Sequence, residues 1–147
     1  MKHLAQLNIA KLLKPIDHPQ IAEFVDNIER INAIAEQSDG FVWRMKDECE
    51  NALAIKAFDD PMLIINMSVW ETAEDLKNYV YNSDHLEIMK KRRNWFEKPS
   101  RPPMVLWWIN AGEIPSIQDG KKRLELLRTT GESDEALTFK SIINQAS

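Results

Sequence analysis

The chain has 147 residues, 44% of them hydrophobic and 29% charged, with a formal net charge of −4. This composition excludes a disordered chain and predicts one globular domain over residues 1–147. The only dense basic run is Lys90–Arg93, which argues against nucleic-acid binding, and no apolar stretch reaches the 18 residues of a membrane span. A single cysteine, Cys49, and a start without a signal-peptide core indicate a reducing, cytoplasmic compartment.

The first third of the chain predicts a strand, a helix and a second strand, at residues 3–13, 19–36 and 41–46. In the first strand, alternation places Gln6 and Asn8 on the face opposite the apolar one. Two amides on one strand face indicate either a face in water or polar contacts in a cavity, and we favour the face in water. In the second strand, alternation assigns three side chains to one face: Phe41, Trp43 and Met45.

Residues 47–61 predict a loop, and residues 62–71 predict a third strand that is almost continuously apolar, as expected for a central strand. Polar residues interrupt it, and Asn66, Ser68 and Trp70 share one face by alternation. An unpaired amide inside a sheet costs about 1–3 kcal/mol. Asn66 therefore either bonds to a neighbouring loop or lines a polar pocket with Trp70, and spacing alone leaves both open.

Two helices are predicted next, at residues 73–81 and from His85 to about Phe96. On a helical wheel, His85 and Arg92 fall on the apolar face of the second helix. Charged groups on such a face need a partner, a cavity or a ligand. The alternative is that Arg92 extends over apolar surface to water while His85 bonds locally.

The last third predicts a strand at residues 104–111, a helix at 116–130 and a short edge strand at 136–141, followed by a frayed end. Trp107 and Trp108 must point to opposite faces of their strand.

This order of elements predicts an α+β fold of the ferredoxin-like, split βαβ type with an antiparallel sheet. Helices would cover one face, and the other would carry an apolar aromatic surface. Because large exposed apolar surfaces mark interfaces, we expect a homodimer that joins two sheets into a dimeric α/β barrel.

Five segments resemble a bacterial family of unknown function that is related to the antibiotic-biosynthesis monooxygenases of the dimeric α/β-barrel superfamily. The resemblance covers roughly residues 3–141, and AFDDP and NMSVWE are its most specific parts. The segments are HLAQLNIAKL, GFVWRMKDE, AFDDPMLIINMSVWET, HLEIMKKRRNWF and VLWW.

The resemblance implies oxidation of a polyphenolic substrate by molecular oxygen without metal or flavin. Some of the related monooxygenases use an asparagine and a tryptophan four residues apart on the third strand, which Asn66 and Trp70 match, together with a later arginine, here Arg92 or Arg93. We predict that the catalytic candidates meet in one cleft and that further side chains contact the substrate. The catalytic candidates are Asn66, Trp70, His85 and Arg92, and the substrate-binding candidates are Asn8, Trp43, Arg93, Trp95 and Trp108.

A sister group of the superfamily binds or degrades haem, and it resembles this chain in an asparagine on the first strand, here Asn8. Its axial histidine is expected near position 90, where this chain has Lys90, while His85 lies about one turn earlier. We therefore expect no cofactor and treat haem as the less favoured reading. Three functions remain open: an oxygenase acting on a small aromatic or quinone-like molecule, a haem-binding protein, and a non-catalytic dimeric module that binds a small molecule.

Overall fold

The computed structural model describes residues 1–45 and 58–146, so residues 47–57 of the predicted loop, with Cys49, lie outside the described residues. Short 3-10 turns lie at Pro19–Ile21 and at Arg92–Asn94. The strands are β1 (Lys2–Lys11), β2 (Phe41–Arg44), β3 (Leu63–Trp70) and β4 (Met104–Asn110). The helices are α1 (Ala22–Gln37), α2 (Ala73–Val80), α3 (Ser83–Met89), α4 (Ile117–Thr130) and α5 (Phe139–Ala146).

The four strands form one sheet in the order β2-β3-β1-β4, and all three pairings are antiparallel. The two central strands are therefore β1 and β3, which are far apart in sequence. This topology confirms the predicted α+β, ferredoxin-like fold with an antiparallel sheet.

One face of the sheet packs against α4. Its core contains Leu7 of β1 and Trp107 of β4, which contact Leu124 and Leu127 of the helix. Gly120 allows this close approach, because a Cβ atom there would lie 3.2 Å from the Leu7 side chain. The expectation of a sheet face without helices is wrong, since α4 covers the half that contains β1 and β4.

The opposite face carries the other four helices over two separate apolar clusters. The first cluster is built around Leu4, Trp70 and Leu106, and the second around Ile21 and Trp95. The gap between these clusters lies over the middle of β1 and β3.

The helix predicted from His85 to about Phe96 is much shorter than expected, since α3 ends at Met89. The backbone of residues 95–97 pairs instead with the chain that continues β1. The Leu13 amide donates to the Trp95 carbonyl over 2.8 Å, and the Glu97 amide donates to the Lys11 carbonyl over 2.9 Å. These long-range bonds give the backbone an alternative to helix, and they bury Trp95.

The predicted alternation of β2 is also wrong. A register shift between Phe41 and Trp43 places the two rings in clusters on opposite faces of the sheet. Phe41 packs edge-on against Trp70, whereas Trp43 packs beside Met45 on the side of α4. An extra residue in one strand reverses the faces that follow it, which simple alternation does not anticipate.

The C-terminal segment is helical where an edge strand and a frayed end were predicted. Among the described residues of this segment, Leu137 alone bonds to the sheet, in a bridge with Leu106 of β4, and α5 begins two residues later. Ile142 is fully buried in the cluster around Trp70. The end of the chain thus forms part of the layer that covers the helix-rich face.

Candidate functional site

Four polar side chains meet at the centre of the sheet, on the face that carries α1, α2, α3 and α5. The register of β1 against β3 sets Gln6 opposite Ser68 and Asn8 opposite Asn66. We call Gln6, Asn8, Asn66 and Ser68 the polar patch. It interrupts the apolar surface between the two clusters.

The polar patch is organised by hydrogen bonds from the Gln6 amide. Gln6 Nε2 donates to Asn66 Oδ1 over 2.6 Å and to Ser68 Oγ over 2.8 Å. Trp70 Nε1 also donates to Ser68 Oγ, over 2.9 Å. Gln6 is only 3% exposed, so the expectation that its strand face is wet is wrong for this residue.

The amide of Asn66 is oriented by this network and reaches solvent. Its Oδ1 is occupied by Gln6 Nε2, while the residue itself is exposed although it lies within a central strand. The Nδ2 group makes no hydrogen bond within the described part of the chain. Asn66 therefore presents two N–H donors to the open side of the patch.

The surroundings of the patch combine apolar walls with unmet polar groups. The Trp70 cluster lies along one side, and the Trp95 cluster, with Ile64 packed against it, lies along the other. Within the described residues, the buried Gln6 Oε1 has no hydrogen-bond partner. Unpaired buried polar atoms are rare in folded proteins and mark places where a water or a ligand is needed.

A stack of rings leads from the patch to His85. Trp70 stacks on Tyr79 with centroids 5.0 Å apart, and Tyr79 packs against His85 at 4.8 Å. Burial raises the pKa of Tyr79 to about 12, against a smaller opposing effect of Arg44. The phenol is therefore neutral near pH 7 and does not act as a phenolate.

The imidazole of His85 is held in one tautomer. Its Nδ1 lies 3.0 Å from the carbonyl oxygen of Val80, so this nitrogen carries the proton and Nε2 is left as an acceptor. Burial lowers the pKa of His85 below its usual value of 6.5, and the bond to Val80 opposes this effect only in part. His85 is therefore a neutral acceptor at pH 7.

This lowered pKa predicts how stability depends on pH. As pH falls below 6.5, the unfolded chain binds a proton at His85 before the folded protein does, so protonation favours unfolding. The stability present above pH 6.5 should be lost progressively down to the folded-state pKa. In His85→Asn, whose amide can still donate to Val80, the melting temperature should fall less steeply over this range. His18→Asn is the matched control, and equal slopes for wild type and His85→Asn would contradict the prediction.

The predicted convergence of four catalytic candidates is found only in part. Asn66 and Trp70 belong to one hydrogen-bonded network, and His85 is joined to it through Tyr79. Arg92 is exposed and donates to the carbonyl of Met89 over 3.2 Å, so its predicted place on a buried helix face is wrong. The physical reason is the early end of α3, which removes Arg92 from the helical wheel.

The substrate-binding candidates are dispersed. Asn8 is half-buried within the polar patch, while Arg93 is exposed in the 3-10 turn. Trp95 is 2% exposed and belongs to a core cluster, and Trp43 packs on the other face of the sheet. Trp108 is 36% exposed on β4. Among these five candidates, only Asn8 lies in the patch.

A cavity of about 400 Å³ lies between the end of α1 and α2, with Tyr79 in its wall. Three carboxylates also line it, and Asp84 is paired with Arg30 at 3.1 Å. In residues 1–45 and 58–146, no group of three acidic, histidine or cysteine side chains is arranged to hold a metal ion. None of the described helices has the length and apolarity required to cross a bilayer.

Sequence reasoning missed the contributions of Gln6, Ser68 and Tyr79. A signal was present for the first two, because β1 and β3 both carry two polar residues spaced by two within an apolar strand. Strands that share the same polar interruption are good candidates for direct pairing. The role of Tyr79 had no such signal, since its contact with Trp70 depends on how α2 packs against the sheet.

The fold, with helices over an antiparallel sheet, is similar to that of several solved α+β proteins at low sequence identity. A conserved protein from Methanosarcina mazei Go1 matches with a TM-score of 0.52 and 11% identity over 75% of this chain and 93% of that one. A Nitrosomonas europaea protein, named as a candidate antibiotic biosynthesis monooxygenase, matches with a TM-score of 0.50 and 11% identity over 78% and 93%. SnoaB, a cofactor-independent oxygenase from Streptomyces nogalater, matches with a TM-score of 0.49 and 14% identity over 78% and 97%.

The family follows from the sequence itself. The model of a domain of unknown function, DUF3291, matches residues 3–147, and the chain belongs to this family. A comparison with curated proteins gave no match. The fold and the family are thus known, and the function has to be argued from the site.

Proposed function

We propose that the protein binds a small aromatic or quinone-like molecule at the polar patch and oxidises it with molecular oxygen, without a resident cofactor. The observation that carries the proposal is the outward-directed amide of Asn66 at the centre of the sheet. Its orientation is set by the 2.6 Å hydrogen bond from Gln6 to Asn66 Oδ1.

The chemistry of the patch selects the kind of ligand. N–H donors bind carbonyl oxygens and oxyanions, and apolar walls on both sides of a polar strip suit a flat hydrocarbon ring. A phenol or quinone combines these features in one molecule. Donation from Asn66 to a phenolate oxygen would also favour the charged form, lowering the substrate pKa.

The proposal of oxygen chemistry comes from the resemblance of the sequence to the antibiotic-biosynthesis monooxygenases. We propose Asn66 as the group that stabilises negative charge on the substrate while oxygen reacts. His85 is proposed as a neutral proton acceptor, reached through water because Trp70 and Tyr79 separate it from the patch. No haem is part of the proposal, because Lys90 stands where the sister group has its axial histidine.

Binding without oxidation is the second candidate, and the position of Arg92 favours it. The resemblance assigns an arginine to charge stabilisation, but Arg92 is exposed and bonds to its own turn. The two functions are separated by measuring oxygen uptake as well as binding.

The test uses a dihydroxynaphthalene as substrate and juglone as its quinone product. In this reaction the substrate loses two hydrogen atoms and gains one oxygen atom, while the second atom of molecular oxygen leaves as water. We expect protein-dependent oxygen uptake with juglone formation, and saturable binding of juglone by wild type. Binding without uptake would leave only the second candidate.

The Asn66→Asp variant should weaken juglone binding by about tenfold or more, because it replaces the two donors by a carboxylate oxygen and keeps an acceptor for Gln6. Asn27→Asp, at a half-buried position on α1 away from the polar patch, is the matched control and should bind as wild type does. Equal juglone affinity for Asn66→Asp and wild type would refute the proposal.

A homodimer remains part of the proposal, since among the described residues α4 is the only helix on the second sheet face and covers only its β1 and β4 half. On the β2 and β3 side of this face, Trp43, Phe58 and Ile65 are partly buried. Apolar surface of this kind favours a symmetric interface. Sedimentation velocity at micromolar concentration should give a dimer, and Trp43→Glu should shift it to monomer. A compact wild-type monomer under these conditions would contradict the prediction.

A further inference from the structure

A second concave site, separate from the polar patch, lies along α4. It is a cavity of about 290 Å³ with a strongly basic lining. Arg128 and Lys121 come from α4, Arg101 comes from the connector before β4, and Phe58 contributes the aromatic ring. This volume is at the lower end of the range for small-molecule pockets.

The two arginines are placed so that their charges repel each other. Arg128 is half-buried, and its Nε donates to the carbonyl oxygen of Pro102 over 2.8 Å, which fixes the guanidinium. Burial lowers the pKa of Arg128, and the charge of Arg101 lowers it further. Arg101 is exposed and forms no ion pair with a described residue.

Among the described lining residues, the carboxylate of Glu125 is the only one, and it does not neutralise this pair. Glu125 is 64% exposed at its side chain and lies 4.0 Å from Lys121 Nζ. Its effect on the pKa of Arg128 is opposite to, and smaller than, those of burial and Arg101. An anion bound between the two guanidinium groups would remove their repulsion, so the site selects negative ligands.

The remaining wall is apolar and aromatic. Phe58 is half-buried, and Lys121 Nζ lies over its ring, 5.9 Å from the ring centroid. Leu124, fully buried, closes the base of the cavity. A ligand that meets both parts of the lining has an anionic head and a flat apolar body.

We propose that this pocket binds a small aromatic carboxylate, with the carboxylate between Arg101 and Arg128 and the ring against Phe58. Guanidinium groups bind carboxylates through paired N–H donors, and aromatic rings pack favourably at the distance of ring contact. The site is independent of the patch, because α4 packs on the opposite face of the sheet from Asn66.

The test is calorimetric titration of the full-length protein with benzoate, at low and at physiological ionic strength. Benzoate should bind, while benzamide, which lacks the charge, and acetate, which lacks the ring, should bind at least about tenfold more weakly. Arg101→Gln should weaken benzoate binding by about tenfold or more without changing the melting temperature, since Arg101 forms no ion pair with any described residue.

Lys122→Gln is the matched control for Arg101→Gln. It also removes one positive charge, but from an exposed position on α4, the helix that carries Arg128. It should bind benzoate as wild type does, and so should Asn66→Asp. No benzoate binding by wild type, or equal binding by Arg101→Gln and wild type, would overturn the proposal. Equal affinity for acetate and benzoate would overturn the aromatic part of the assignment.

Discussion

Replacing Trp70 with alanine should lower the free energy of unfolding by about 3–5 kcal/mol. The side chain is 0% exposed, stacks on Tyr79 at 5.0 Å, and meets the edge of Phe41 at 5.6 Å. The substitution leaves a large cavity in this cluster and removes the Trp70 donor to Ser68. Chemical denaturation of the variant and of wild type measures the loss.

Trp108→Ala is the matched control, because Trp108 is the same residue type but lies 36% exposed on an edge strand. It should cost only about 1 kcal/mol. Comparing the two losses of unfolding free energy tests whether Trp70 is a packed core residue. A Trp70 that only formed the wall of an open pocket would cost no more to remove than Trp108. A loss for Trp70→Ala no greater than that for Trp108→Ala would show that Trp70 is not packed as described.

Replacing Gly40 with alanine should destabilise the protein by about 3 kcal/mol or more. Gly40 has a φ of 78°, and an added Cβ atom would overlap the carboxylate of Asp75 and lie 2.5 Å from the Asp75 Cβ atom. The turn cannot easily move away, because the Gly40 carbonyl accepts a 2.8 Å hydrogen bond from the Glu71 amide. Thermal and chemical denaturation of the variant test this expectation.

Gly112 offers the control for the backbone part of this effect. Its φ is 94°, but an added Cβ atom would meet nothing within 4 Å. Gly112→Ala should therefore cost only the strain of a left-handed conformation, about 1–2 kcal/mol. If Gly40→Ala and Gly112→Ala lowered the free energy of unfolding equally, the Asp75 side chain would be able to move aside without destabilising the fold.

The secondary structure was predictable wherever a local pattern and its boundaries agreed. The strand that became β3 is bounded by Pro61 and by Thr72, which caps α2 by accepting a hydrogen bond from the Asp75 amide. Ser116 caps α4 in the same way. Such signals involve residues close in sequence, so they can be read without knowing the fold.

The predictions failed where long-range contacts overrode local preference. Nothing in the local sequence stops a helix at Met89, and its end follows from bonds between residues 95–97 and the continuation of β1. The irregular register of β2 against β3 likewise depends on pairing and not on alternation. These errors moved Arg92 and Trp43 away from the positions that the patterns indicated.

Sequence patterns indicated only the part of the candidate site that lies on β3. Asn66 was indicated as unusual by its position in an apolar strand, but the sequence left open whether it bonds to a neighbouring loop or lines a polar pocket with Trp70. The partner is Gln6, which is sixty residues away along the chain. Only the register of β1 against β3 brings the two amides together.

The most direct test of the proposed function is a nitrogen–proton NMR titration of the asparagine side-chain amides with juglone. The account predicts that the Asn66 side-chain amide signals shift in a saturable manner, because the two N–H groups donate to the quinone oxygen. The signals of Asn27, whose amide donates to the Glu23 carbonyl, should stay unchanged. Saturable binding of juglone that leaves the Asn66 signals in place would contradict the account.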